Sequence, residues 1–246
     1  MDGYRFPDAA RMEWIKLRTL RSTTWVLGGG MLATVALGVV AGFNTRSVTG
    51  DPTSNVLAGV VFGQVITGVL GVLTMTGEYS TGLIKVTLAA IPRRPLVLGA
   101  KACVYATVVL ALGEITTFLS FLLGIAALRP AVPHPALSQG PVLRAVLMTG
   151  AYLALIGLTG LGIGAIVRHG AAAVATLVGG LFVLPAVAGA AGAAGRGIGR
   201  FTPELIAGNS LAAVKPVPGF TWSPWLELAI VALYPAVLLA AGCWLL

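Results

Sequence analysis

Charge is what this sequence has least of. Asp, Glu, Lys and Arg make up 10% of its 246 residues, against roughly 25% in a soluble domain. With 57% hydrophobic residues and a mean hydropathy of +0.93, the chain reads as integral to a membrane. Cysteine is nearly absent. Cys103 and Cys243 both lie in apolar runs, which excludes a disulfide framework and makes each a small buried hydrophobe. The two histidines, His134 and His169, fall in polar connections and read as solvated loop residues. Cys/His clusters, H-E-x-x-H and G-x-S-x-G are all missing, so a membrane enzyme has no catalytic constellation to stand on. G-x-x-x-x-G-K-[ST] is missing too. The chain therefore cannot hold ATP in a P-loop, and ATP-driven work would belong to another polypeptide.

Acidic residues are half as many as basic ones, 8 against 16, for a net charge of +8. In a membrane protein such an excess belongs on loops beside anionic lipid. No basic patch interleaves with exposed aromatics, so nucleic acid is not expected as a partner. Arginine exceeds lysine about threefold, and Ala, Gly and Val dominate. That points to a GC-rich genome and not to a mechanism.

Apolar runs are abundant. A helix needs about 20 apolar residues to cross the hydrocarbon. Six runs qualify, at roughly 24–43, 56–77, 102–127, 143–167, 171–194 and 225–246. They are expected to be helices, because a lipid-exposed backbone must satisfy itself. The short alternating segments of a β-barrel do not occur. The first run is span-length and lacks a small-residue cleavage site, so it reads as a retained helix and not a signal peptide. The fourth and fifth runs are parted only by the turn Arg168-His169-Gly170.

Placing the N-terminus in the cytoplasm puts 1–23, 78–101 and 168–170 inside. These hold about ten basic residues in about fifty, against about six in nearly sixty outside. The bias favours that orientation, with the C-terminus inside by parity. Residues 44–55 and 128–142 are then outer loops, and 195–224 is a long outer segment. Within it Thr202 suits an N-cap, Pro203 the first helical position and Glu204 the positive helix end. The run "PELIAGNSLAAV" ends at Lys215-Pro216. It is too short to span and is expected to lie at or dip into the outer leaflet, shielded by protein.

Between the second and third runs stands a basic elbow, "GEYSTGLIKVTLAAIPRRPLVLGAK". Glu78 closes the second run, and Ser80 or Thr81 can cap a short helix. Ile84, Leu88 and Ile91 recur at i, i+4 and i+7 to give one apolar face. Pro92 stops that helix, Arg93 and Arg94 sit in the break, and Pro95 opens the helix that carries Lys101 onward. Such an element either lies on lipid headgroups or forms a rigid docking knob for a soluble partner. The N-terminal stretch "RMEWIKLRTLRSTTWVL" reads as an interfacial helix. Met12, Trp14, Ile15, Leu17 and Leu20 are apolar there; Glu13, Lys16, Arg18 and Arg21 are charged. Trp14 and Trp25 suit the headgroup level. A plain membrane anchor reads equally well.

Together "MEWIKLRTLRSTTW", the elbow, "RHG" and "FTPELIAGNSL" resemble the ABC-2 type permeases, the membrane subunits of bacterial ABC exporters, and the small actinobacterial-type branch in particular. The resemblance covers nearly the whole chain, and the elbow is its most specific part. It implies an all-α integral membrane fold of six transmembrane helices, placed in the bacterial plasma membrane. It implies a connecting helix at the N-terminus carrying Glu13, Lys16, Arg18 and Arg21. It implies a coupling region that meets the ATPase, bearing Glu78, Gly82, Ile84, Leu88, Pro92, Arg93, Arg94 and Lys101, with Arg168 on the same side. Residues 195–224 would be re-entrant. The partners implied are a P-loop ATPase subunit, which would carry ATP and Mg, and a second permease, identical or paralogous. Members often end in a short basic cytoplasmic tail. The sequence stops at Leu246 within the sixth run, so a truncated tail is expected.

One charge falls in mid-span. Glu114 lies about 20 Å along the helix from Lys101 at 1.5 Å per residue, where an acid costs roughly 2.5–3.5 kcal/mol on insertion scales. With Thr117 one turn on, it either lines a substrate path, or relays a proton, or is a protonated acid kept for packing. Gln64 and Thr67, one turn apart, could line the path, although gluing helices together is the more frequent use. Glu227 begins the sixth run at the outer interface, where its charge is tolerated. Gly38-x-x-x-Gly42 and Gly160-x-x-x-Gly164 are small-residue contact faces, weak pointers to dimerisation in a chain with 33 glycines. An ABC exporter permease accounts best for the elbow and the missing P-loop. The alternative is an ion- or proton-coupled secondary transporter using Glu114, although the inverted repeats common in such folds are not evident.

Overall fold

The computed structural model describes residues 5–19, 21–46, 51–210, 212–213 and 222–246. Its described residues contain helices and no strand. In chain order the helices are α1 (Phe6–Thr19), α2 (Arg21–Asn44), α3 (Pro52–Val56), α4 (Val60–Ser80), α5 (Leu83–Ala90), α6 (Arg94–Ala126), α7 (Gly140–Val167) and α8 (Gly170–Val178). A π turn at Gly179–Val183 leads into α9 (Leu184–Ala190), followed by α10 (Gly192–Gly199), α11 (Pro203–Ser210) and α12 (Pro224–Leu245). Six segments are long and apolar enough to cross a membrane: Thr23–Asn44, Val60–Ser80, Arg94–Ala126, Gly140–Val167, Gly170–Ala190 and Pro224–Leu245. These match the six apolar runs within a few residues at most ends. The third span differs most, because α6 starts at Arg94 and absorbs the second half of the elbow.

Proline marks the helix starts. It occupies the first or second position of α3, α6, α7, α9 and α12, where its missing N–H is no loss and its fixed φ suits the helix. Side chains cap two of these: Asp51 accepts from the amides of Thr53 and Ser54, and Ser223 from that of Leu226.

Helix α7 is the axis of the bundle, packed against α4, α6, α8 and α12. Its seam with α4 is a backbone-to-backbone contact. A Cβ at Gly160 would stand 2.0 Å from the Gly68 carbonyl oxygen, and one at Gly71 would stand 2.1 Å from that of Gly157. Gly38 and Gly42 likewise press α2 onto Ser120 and the Gly124 carbonyl of α6. Both small-residue pairs are thus used inside one chain. They carry no indication of a dimer face, because their open sides are already filled by neighbouring helices.

The fifth span is not a regular helix. Leu184 donates its N–H to the Gly179 carbonyl, an i to i−5 bond. Pro185, one residue further, has no N–H to offer the preceding turn. The widened turn absorbs that loss in mid-span, as π turns do.

Beyond the fifth span the chain folds back on the bundle. Tyr234, ten residues along from Pro224, donates its hydroxyl to the Phe201 carbonyl. Ile206 and Ala207 of α11 share a core with Tyr152, Leu181 and Val231. Helix α11 begins at Pro203 as expected, but Thr202 turns its hydroxyl back to the Gly199 carbonyl. The expected stop at Lys215-Pro216, together with Leu20 of the N-terminal stretch, lies outside the described residues. After α11, Asp51 accepts from the Ala213 amide at 2.6 Å and Arg144 donates to the Ala212 carbonyl at 2.9 Å. Glu227, expected at a wet interface, is instead wholly buried in the first turn of α12, where the positive helix end favours an acid.

Candidate functional site

The basic end of the bundle gathers α1, the elbow, the 168–170 turn and the end of α12. The elbow is built by a single left-handed residue. Helix α4 runs on through Ser80 to Thr81, so neither residue caps the next helix. Gly82, at φ 72°, reverses the chain and α5 begins at Leu83. A Cβ would strain that conformation. The apolar face Ile84, Leu88, Ile91, expected to meet lipid or a soluble partner, instead turns inward onto the chain itself. Ile84 packs with Leu98 and Met75, and Ile91 packs with Ala9, Val97 and Ala100. That face is covered by the chain itself. The outward face shows a different apolar pair, Leu83 at 48% and Val86 at 66% exposure, with exposed Lys85 between them.

Beneath the elbow lies a closed square of charge. Lys101 reaches Glu13 at 2.5 Å and Glu78 at 2.8 Å; Lys16 reaches the same two carboxylates at 2.8 Å each. Glu13 and Lys101 are each only 2% exposed. Two acids and two bases balance, so no net charge is buried. Each member comes from a different need. Glu78 stands in the last turn of α4, where the helix end repels an acid. Two ammonium groups on one of its oxygens relieve that repulsion. Burial opposes the charged form of Lys16, but hydrogen bonds and attraction from Glu13 and Glu78 outweigh it and raise its pKa above the usual lysine value. Glu13 falls on the buried face of α1 beside Ala9, while Trp14 and Ile15 face outward. Of the four charged residues expected on that helix, Glu13 is buried. The cause is Lys101 on α6, whose buried ammonium Glu13 neutralises. Arg18 remains exposed; the side chain of Arg21 lies outside the described residues.

The turn between the fourth and fifth spans is tied into the same end. Arg168 takes a left-handed φ of 61°, lies 5.5 Å over the Tyr79 ring and donates to the Leu245 carbonyl. It thereby satisfies an orphan carbonyl at the end of α12. His169 accepts from the Ala172 amide as the N-cap of α8, which gives this histidine a structural task. Arg93 and Arg94, exposed in the break of the elbow, face a groove that Trp244 of α12 also lines.

In mid-bundle the polar residues separate into two groups. Gln64 accepts from the Tyr152 hydroxyl at 2.5 Å, and the Thr67 carbonyl accepts from Tyr105 at 2.6 Å. Thr67 itself bonds back to Gly63 and Thr117 to the Glu114 carbonyl. Gln64, Thr67 and Thr117 are all buried. Such cross-helix bonds join α4 to α7 and α6, the gluing role of polar groups in lipid. Glu114 stands apart from them. Its carboxyl lies against Gly150 on the α6–α7 seam, where a Cβ would be 2.4 Å away, and its Oε2 is buried without a hydrogen-bond partner. No group of His, Cys, Asp and Glu among the described residues could hold a metal ion.

The tyrosines, Gly82 as reversal point and the four-charge square were not legible as a constellation. The partners of the square lie 3 to 88 positions apart. The one available signal was that Glu13, Glu78 and Lys101 are charges set against apolar neighbours.

Taken together, the helices define a multi-pass helical membrane protein with a rigid, charge-locked basic end. A scan of protein-family models gives no match to the chain, and no curated protein matches it.

Proposed function

We propose that the chain is the permease subunit of an ATP-driven ABC exporter of the ABC-2 type, working with a separate P-loop ATPase that carries ATP and Mg. The observation that carries this reading is the outward face of α5. It is a short helix held between a left-handed glycine and two prolines, with its inner side fastened to α1 and α6 and an exposed apolar pair left over. A partner pushing on Leu83 and Val86 would move a body that already includes α1, α4 and α6, because the charge square ties them together. In this reading the basic end is cytoplasmic, as the loop charge bias favours. The fold-back of Phe201–Ser210 onto α12 supports a re-entrant outer segment. A second permease copy or a paralogue completes the path, with Glu114 as its polar lining.

The test is co-purification. Leu83→Asp with Val86→Asp should cut recovery of the ATPase at least tenfold while the chain still inserts and folds. Undiminished recovery would remove the docking face from α5. Orientation has its own check. With Cys103 and Cys243 replaced, Gly208→Cys should label from outside intact cells and Lys85→Cys should not.

A second reading rests on the unpartnered Oε2 of Glu114, an ion- or proton-coupled carrier. Under it, Glu114→Gln should abolish transport driven by a proton gradient in ATP-free vesicles. Under the exporter reading no such transport exists to lose, and Glu114→Gln should change ATP-dependent export by a few-fold.

A further inference from the structure

We infer that the groove between the elbow and the last turns of α12 is a binding site for the headgroup of an anionic phospholipid. It is an open groove of about 670 Å³, lined by Pro92, Arg93, Arg94, Leu96, Cys243 and Trp244, a size within the range of small-molecule sites, roughly 300–1,000 Å³. The reading is independent of any ATPase.

Three observations point to this occupant. The first is unmatched charge. Arg93 and Arg94 are exposed and form no ion pair among the described residues. Glu13 and Glu78, the two buried acids beneath the elbow, are both engaged by Lys16 and Lys101. Two adjacent guanidiniums suit a phosphodiester, which accepts paired N–H donors. The second is the opposite wall. Ala240, Cys243 and the 83% exposed Trp244 of α12 are apolar, and Trp244 stands at the end of a helix that is long and apolar enough to span. A soluble protein cannot follow that wall into the hydrocarbon, whereas a lipid does so by construction. A tryptophan at the end of a span sits at headgroup level. The third is preorganisation. Pro92 and Pro95 bracket the arginines and hold their backbone, with Arg93 at φ −87° just before α6, so little ordering is left to binding. Basic pockets beside spans are the usual seat of anionic headgroups.

The experiment uses the full chain in mild detergent with equimolar phosphatidylglycerol and phosphatidylcholine, read by native mass spectrometry. Wild type should retain one phosphatidylglycerol in preference to phosphatidylcholine by about thirtyfold, the effect of two surface charges. Arg93→Gln with Arg94→Gln should erase that preference. Arg11→Gln with Arg18→Gln, which neutralises two exposed arginines of α1, should leave it intact. Glycerol phosphate without acyl chains should not displace the lipid, because it lacks the part that lies along Trp244. The proposal is overturned if wild type binds the two lipids equally, if the α1 variant loses as much preference as the groove variant, or if glycerol phosphate competes at similar concentration. It is also overturned if the groove variant keeps its lipid preference yet loses a co-purifying ATPase, which would make these arginines part of a protein interface.

Discussion

Lys101→Met is expected to destabilise the protein by about 3–5 kcal/mol, the usual cost of leaving a buried charge without its partner. Lys101 is enclosed by α1, α4 and α6 and touches both Glu13 and Glu78. Methionine fills the same volume but removes the ammonium. Two buried acids then share Lys16 alone. Their repulsion is relieved most easily by releasing α1, so trypsin cleavage at Arg18 should rise together with the fall in Tm. Lys16→Met should do much less, within about 1 kcal/mol, because that side chain is 28% exposed and water can replace it. Glu13→Gln added to Lys101→Met should recover part of the loss, since it lowers the buried negative charge. Acidification should also recover part, a proton standing in for the missing ammonium. If Lys101→Met unfolds at the wild-type temperature with α1 still protected, the square is not what holds the N-terminal helix. Buried ion pairs are weak evidence of net stability in general. Here the square's clearer role is register: it accepts one position of α1 along α4 and α6 and no other.

The second large effect is steric. Gly160→Val should prevent normal accumulation of folded protein, a loss of about 3 kcal/mol or more for forced overpacking. The new Cβ would sit 2.0 Å from the Gly68 carbonyl oxygen, and the facing pair Gly71 and Gly157 leaves α4 no room to retreat along the seam. Separating α4 from α7 would also break the Tyr152–Gln64 hydrogen bond in the centre of the bundle. Gly77→Ala is the matched control. Nothing lies within 4 Å of a Cβ there, so alanine should be neutral or stabilising by up to about 1 kcal/mol through helix propensity. Denaturation in detergent, followed by circular dichroism, separates the two. Equal Tm values for Gly160→Val and Gly77→Ala would show that the seam is looser than the close carbonyl contacts imply.

Elements differ in how legible they were. The spans were readable because lipid imposes one rule on every residue: be apolar and helical. The end of the elbow helix was readable because proline acts locally. Pro92 ends α5 and Pro95 stands in the first turn of α6, and Ile84, Leu88 and Ile91 were legible as one apolar face, though not as one that the chain itself covers. Errors came where a distant group decided. Glu13 was legible only as one of four charges on the N-terminal helix, and its burial depends on Lys101, 88 residues away. Ser80 and Thr81 were offered as caps because they are good ones, but α4 continued through them to reach Gly82. The π turn at Gly179–Val183 was visible only as two glycines before a proline. The Gln64 side chain joins α4 to α7 through Tyr152, whereas the Thr67 hydroxyl stays within α4 and only its carbonyl accepts from Tyr105; neither tyrosine could be named from spacing.

By itself, then, the sequence determined a six-span helical membrane chain without a P-loop, with its basic residues gathered toward one end and a short proline-terminated helix between its second and third spans. These follow from composition and from contacts within a few residues. Only the tertiary structure decided that Glu13, Lys16, Glu78 and Lys101 form one neutral buried square, that the glycine pairs are spent inside the chain, and that Arg93 and Arg94 face Trp244 across a groove. Each of these depends on which helices become neighbours, and that choice is made by packing across the bundle, where residues far apart in the chain must satisfy one another in the absence of water.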